Sequence, residues 1–253
     1  MVWQATNLTK DKHCFFGRNG GVSEGKYASL NVNTRSCDSV NNLNKNLDIA
    51  AAVIGLKKED LLLLSQGVSD NVVYVQKASR DEIEADGVVT NKSNIGLCIR
   101  TADCVPILFE DRVNGVIGAA HAGWRGAYKG IIANVVKLML EKGAKAKHIA
   151  VGVGPCIAQK SYEVDAFFYK QFVEEDSAFV KYFKNSNKER FYLFDLQSFC
   201  VDRICEEGIN NIKVSNHDTY ALKEEYFSFR RFTHQGIVDK PKDFATELSV
   251  IVL

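Results

Sequence analysis

Cys104-Val105-Pro106-Ile107-Leu108-Phe109, the polar stretch Glu110-Asp111-Arg112-Val113-Asn114-Gly115, and Val116-Ile117-Gly118-Ala119-Ala120-His121 form the segment that decides the fold. The two outer runs are apolar and rich in strand formers, and turn residues separate them, so they predict a β-hairpin. A four-residue loop over 111–114 is a common hairpin connection. It pairs Glu110 with Gly115 and sets Cys104 opposite His121. Directly opposed residues share one face of a sheet, with Cβ atoms about 4.5–5.5 Å apart. A slip of one residue would part them. Pro106 has no N–H to give a ladder, which places its strand at an edge or an irregular position.

After His121 the chain reads Ala122-Gly123-Trp124-Arg125-Gly126. Ile131, Ile132, Val135, Leu138 and Met139 then recur at helical spacing, and Gly143 stops the pattern. This is strand, glycine turn, helix. Glycine lets the backbone come close to a ligand. Free N–H groups at a helix start attract anions, and Arg125 adds a planar, always-charged fork for phosphate or carboxylate. A Cys facing a His has two chemical readings. The pair can ligate zinc or copper, or the imidazole can deprotonate the thiol for nucleophilic attack. Against both stands a small buried Cys beside a hydrogen-bonded His. Arg18, in Phe16-Gly17-Arg18-Asn19-Gly20-Gly21, reads equally as a solvated loop residue or a second anion clamp. Of Arg230 and Arg231, one is expected to be structural and one solvent-exposed. Cys156, after Gly154-Pro155, reads as a packed turn residue. His13, His148, His217 and His234 have no partner at metal-ligand spacing. The aromatic residues at 167–169 and 179–183 read as core.

Outward from there, residues 43–54 carry a helical pattern stopped by Gly55. Strands are expected at 61–64, 72–75, 88–90 (after an Asp86-Gly87 turn), 95–99, 149–153 and 248–253. Helices are expected at 165–183 and 196–209. The 253 residues are 46% hydrophobic and 25% charged, a globular composition. Three prolines and 18 glycines leave no Pro/Gly-rich linker, so residues 1–253 read as one domain. With 32 Lys and Arg against 31 Asp and Glu, the net charge is +1. That speaks against a nucleic-acid or polybasic membrane partner and leaves room for a small anion. Neither a membrane-spanning run nor a signal peptide is read. Seven scattered cysteines without C-x-x-C pairs suit reduced thiols in a cytoplasm.

Thr101-Ala102-Asp103-Cys104-Val105-Pro106 and Ala119-Ala120-His121-Ala122-Gly123-Trp124-Arg125-Gly126 resemble the signature stretches of the YfiH family. This is the group once described as multicopper polyphenol oxidases or laccase-domain proteins, now as purine nucleoside phosphorylases, and also as peptidoglycan editing factors. The resemblance continues through Tyr27-Ala28-Ser29-Leu30-Asn31, Tyr162-Glu163-Val164 and Phe227-Ser228-Phe229-Arg230-Arg231. It implies an α+β fold, layered α/β/β/α with mixed β-sheets and related to bacterial toxin cysteine hydrolases. It implies phosphorolysis of adenosine, inosine and methylthioadenosine, with adenosine deamination beside it. It implies zinc or copper on two His and one Cys, of which Cys104 and His121 are two. Arg18, Gly123 and Arg125 become candidates for phosphate or substrate. The third ligand position holds Val68, which has no donor, so weak metal binding is expected. Near the end, Ala245-Thr246 stands where many members have Gly-Arg. The expected partners are a nucleoside and phosphate, for a monomer or homodimer. Two other readings stay open: a Cys/His amide hydrolase acting on a peptidoglycan precursor, and a non-catalytic nucleoside binder.

Overall fold

The computed structural model describes residues 2–79, 81–238, 240 and 242–253, with only the main chain of Val2. Two mixed sheets lie face to face. The first runs β1 (Val2–Trp3), β2 (His13–Phe16), β14 (Glu247–Ile251), β6 (Gly96–Thr101), β3 (Leu61–Leu62). All its pairs are antiparallel except β3 with β6. The second runs β13 (Asn211–Val214), β9 (Ile149–Val153), β7 (Val105–Asp111), β8 (Val116–Ala122), β5 (Gly87–Thr90), β4 (Val72–Tyr74). Its two outer pairs are parallel and its inner pairs antiparallel. A small third sheet orders β10 (Glu163–Asp165), β12 (Phe191–Phe194) and β11 (Phe183–Asn185). The helices are α1 (Val40–Val53), α2 (Trp124–Lys129), α3 (Ile131–Glu141), α4 (Ala166–Glu175), α5 (Leu196–Glu206) and α6 (Phe229–His234). Among the described residues no helix is long and apolar enough to cross a membrane.

Strand alternation explains the layers. Along β8, Ile117 and Ala119 face the other sheet, where they join Leu108 and Val88 against Phe15, Leu97, Ile99 and Ile251. The alternate residues Val116, Ala120 and Ala122 face the helices, packing with Ile131, Ile132 and Val135 of α3 and Phe199 of α5. On the far side, Cys98, Leu248 and Val250 pack on Leu47, Ala50 and Ala51 of α1. Both large sheets are thus apolar on both faces, and each fully buried aliphatic or Phe side chain contributes about 1.5–3 kcal/mol. The order α1, sheet, sheet, helices is the implied α/β/β/α arrangement.

The hairpin forms, with its register moved. Asp111 pairs with Val116 and Pro106 with His121, so the loop is 112–115 and Cys104 lies just before the strand. Gly115 takes a positive φ of 65° that suits the turn and not a strand, and Asp111 closes the loop by accepting from the Asn114 N–H at 3.0 Å. Of the edge or irregular position expected from Pro106, the edge is excluded, since β7 is central. The His121 N–H bonds to the Asp86 carbonyl, away from β7. Pro106 therefore turns its missing donor toward β9, whose pairing begins only at Ile107. The helix expected after Gly123 breaks at Gly130, whose φ of 103° separates α2 from α3. The 165–183 helix is shorter than expected: α4 ends at Glu175, Asp176 caps a 3-10 turn by accepting from the Ala178 N–H at 2.8 Å, and Phe183 enters β11. Strands β1, β2, β10, β11, β12 and β13 were not read from sequence. They are short, and β13 is half-exposed.

Candidate active site

A cavity of 590 Å³ opens where β6 and β8 end and β7 begins. Cys104, His121, Gly123 and Arg125 all line it. Arg18 does not. It lines a separate cleft, and its guanidinium is committed to the carbonyls of Ala28 (2.9 and 2.6 Å) and Lys223 (2.7 Å). Arg18 is a strut between loops rather than a cavity group.

The register shift keeps Cys104 and His121 together, because the pairing moves by two residues and preserves the face. The thiol and the imidazole face the same point of the cavity wall. A Cβ on Gly123 would lie 3.1 Å from Cys104 Sγ, 3.1 Å from Val68 Cγ1 and 3.9 Å from His121 Cε1. Three side chains therefore converge on the bare Cα of Gly123. Behind His121 stands Asp86, fully buried, which accepts from the ring Nδ1 at 2.7 Å. The same carboxylate accepts from the N–H groups of Gly67 (3.1 Å), Val68 (3.0 Å) and Ser69 (2.6 Å), and from Ser69 Oγ (2.6 Å). One side chain thus fixes both the imidazole and the loop carrying Val68. Burial alone would raise the Asp86 carboxyl, but the bond and charge of His121, with the side-chain and backbone hydrogen bonds of Ser69, hold it at about 2. Burial alone would lower the His121 imidazole, but the Cys104 thiol and the Asp86 carboxylate push it up to about 10.

The zinc or copper implied by the resemblance needs a third donor, and the residues present do not fit that set. Val68 brings a methyl group to the third corner, on a backbone with φ +61°. That left-handed conformation suits Asn, Asp or His far better than a β-branched residue. Ser69, the nearest alternative, spends its hydroxyl on Asp86, and Asp70 turns its oxygens toward Asn134 of α3. Among the described residues no group of three His, Cys, Asp or Glu is placed to hold a metal.

The cavity is rich in cations. Arg35, Arg100, Arg125, Arg230 and Lys242 line it. Arg100 is spent on Glu82 (2.8 Å), the Leu64 carbonyl and Thr34. Arg35 is tied to the Gln66 carbonyl at 3.0 Å and Ser65 Oγ at 2.6 Å. Arg230 lies over the Tyr162 ring at 5.1 Å and donates to the Glu163 carbonyl. It is half-buried in the wall, while Arg231 is buried among the carbonyls of Thr219, Tyr220 and Tyr226. Arg125 is exposed and stacks over Trp124 at 4.3 Å, with no carboxylate partner among the described residues. Because α2 has only six residues, the anion-binding capacity here belongs to Arg125 rather than to a long helix start.

Asp86, Tyr162, Arg35, Arg100 and Phe229 are cavity or pair residues that sequence reasoning missed. Asp86 reads as a turn residue before Gly87, and nothing in its spacing announces a bond to a His 35 positions later. Cys156 is packed as expected, its sulfur accepting from Gln197 Nε2 at 3.3 Å. The other four histidines each bond a neighbour. Phe167 departs from the core reading, being 77% exposed.

The family described as multi-copper polyphenol oxidoreductase laccase matches residues 12–238. The crystal structure of a Bacillus licheniformis hypothetical protein YfiH superposes with a TM-score of 0.86 at 28% identity, over 95% of this chain and 92% of that one. The chain belongs to the YfiH family. A YfiH-family relative from Rickettsia prowazekii named purine nucleoside phosphorylase is 41% identical over 72% of this chain and 75% of its own. One from Haemophilus influenzae with the same name is 32% identical over 91% and 93%.

Proposed function

We propose that this chain catalyses the phosphorolysis of purine nucleosides such as adenosine, inosine and methylthioadenosine. The observation that carries the reading is that one cavity is lined by Arg125, which has no carboxylate partner among the described residues, and by His121, whose ring is bonded to the buried Asp86 carboxylate. The names of the relatives support it. In the reaction a phosphate oxygen bonds to ribose C1′ as the bond from C1′ to the base nitrogen breaks. The electron pair leaves with the purine, which takes up a proton. His121, kept charged by Cys104 and Asp86, supplies that proton as general acid. Arg125 holds the phosphate with its fork of donors, and Arg230 adds positive charge beside it. Gly123 leaves the approach to the Cys104–His121 pair open. Seven free cysteines suit a cytoplasmic setting, where nucleoside and phosphate meet.

The test is product analysis of the purified chain with adenosine, with and without phosphate. Adenine that forms only with phosphate supports phosphorolysis. Inosine formed without phosphate identifies adenosine deamination. Folded protein that yields neither overturns the reading.

A second reading has its own observation. Asp86, His121 and Cys104 stand as carboxylate, imidazole and thiol, with Asp86 bonded to the ring and the Cys104 sulfur facing the same side of Gly123 as the ring. That order suits a metal-independent amide hydrolase in which Cys104 attacks. Alkylation of Cys104 at neutral pH, with amide hydrolysis that survives a chelator, favours it over the first reading.

A further inference from the structure

Four aromatic residues line the cavity: Trp124, Tyr162, Phe229 and Phe244. Three are half-buried and engaged. Trp124 carries Arg125 over its ring and meets Phe168 at 4.7 Å, and Tyr162 carries Arg230. Phe244 packs on Phe229 with centroids 4.7 Å apart and planes at 56°. Among the described residues Phe229 has that single ring contact, and it is 41% exposed. An open aromatic face beside cationic groups in the wall of a concave cavity is the lining a flat ligand uses.

Its position is set from both sides. Phe229 is the first residue of α6, between Ser228 and Arg230. Asp103 Oδ2 accepts from Ser228 Oγ at 2.9 Å and from the Arg230 N–H at 2.7 Å. Asp103 Oδ1 accepts from Thr219 Oγ1 at 2.7 Å. Ser228 Oγ in turn caps the helix by accepting from the Arg231 N–H at 3.1 Å. Asp103 directly precedes Cys104 in the chain. The carboxylate that pins the flanks of Phe229 is therefore tied to the backbone that carries the thiol, so ring and pair are held at a fixed spacing.

We propose that Phe229 is the stacking platform for the purine ring, and so a residue that sets the preference of this cavity for nucleosides with a large aromatic base. The proposal rests on the phosphorolysis reading. Stacking on an aromatic face binds any base and favours the larger ring system. Arg125 holds the phosphate elsewhere in the cavity, so the two contacts separate in kinetics.

The experiment compares the full chain with Phe229→Leu and Phe229→Tyr. Adenosine binding is measured by calorimetry without phosphate, and KM for each substrate by phosphorolysis. Thermal unfolding reports whether each variant is folded. Phe229→Leu is expected to weaken adenosine binding and raise its KM about tenfold or more, with kcat and the KM for phosphate unchanged. Phe229→Tyr, which keeps the ring, is expected to stay within about twofold of the parent. Equal adenosine binding by the parent and Phe229→Leu overturns the platform while leaving phosphorolysis standing. A parent that binds no adenosine removes both.

Discussion

Replacing Asp86 with alanine removes one buried carboxylate from five donors. His121 Nδ1 loses its partner at 2.7 Å, and Gly67, Val68 and Ser69 lose the acceptor that shapes their loop. Stripping the partner from a buried ion costs about 3–5 kcal/mol. The loop N–H groups are half-buried, and water replaces part of what they lose, at up to about 1 kcal/mol each. These losses share one side chain and do not add in full, so we expect about 4–6 kcal/mol. At about 2–4 °C per kcal/mol for a chain of this size, that lowers the melting temperature by roughly 10–20 °C. The pH dependence gives a second handle. His121 is raised from 6.5 to about 10 on folding, so its contribution is complete below pH 6.5 and is lost as pH rises through 10. Asp86 is lowered from 3.8 to about 2, so its contribution is complete above pH 3.8 and is lost as pH falls through 2. The parent is therefore most stable from this pair between those limits. It should lose up to about 1.4 kcal/mol per pH unit above 6.5. Urea unfolding at pH 5, 7 and 9 measures both effects. A variant within about 1 kcal/mol of the parent at pH 7, or a parent whose stability is flat from pH 6.5 to 9.5, refutes the pairing argument.

Other substitutions probe the site and its support. Val68→His relieves a β-branched residue at φ +61°, a strain of roughly 1–2 kcal/mol, and adds a third donor beside Cys104 and His121. It should melt no lower than the parent and retain zinc through dialysis, measured as metal content, while a parent that retains one zinc per chain contradicts the account. Gly123→Ala puts a methyl 3.1 Å from both Cys104 Sγ and Val68 Cγ1. Turnover should fall about tenfold or more with a stability cost of about 1–3 kcal/mol, and unchanged turnover would show that the pair tolerates being pushed apart. Arg125→Gln removes an exposed charge, so stability should stay within about 0.5 kcal/mol, while the KM for phosphate rises severalfold and that for adenosine holds. Phe172→Ala empties a fully buried ring site shared with Phe168, Phe194 and Phe199, which should cost about 3–5 kcal/mol in chemical unfolding without changing substrate KM.

The strands of the central hairpin were legible because alternation and turn chemistry act over a few neighbouring residues. The register was not, since Asp111 and Gly115 each suit either loop, and only the positive φ of Gly115 settles which residues turn. Cys104, His121 and the bare Gly123 could be paired from sequence because one short hairpin delivers all three. Asp86 could not, because its bond to His121 depends on β5 lying beside β8. Arg18 shows the opposite failure. A guanidinium in a glycine-rich loop looks the same in sequence whether it faces a ligand or three main-chain carbonyl contacts.

Strand β14 lies between β2 and β6, yet it follows both by a long stretch of chain. During synthesis on the ribosome, β2 and β6 emerge early and cannot complete the first sheet alone. Until β14 arrives, each presents an open edge of the kind that recruits other strands. Closing contacts between such distant segments also slows folding, as loop closure must precede the reward. A stalled or prematurely terminated product lacking β14 would be left with an incomplete sheet and exposed apolar faces, making it a substrate for quality control rather than a shortened enzyme.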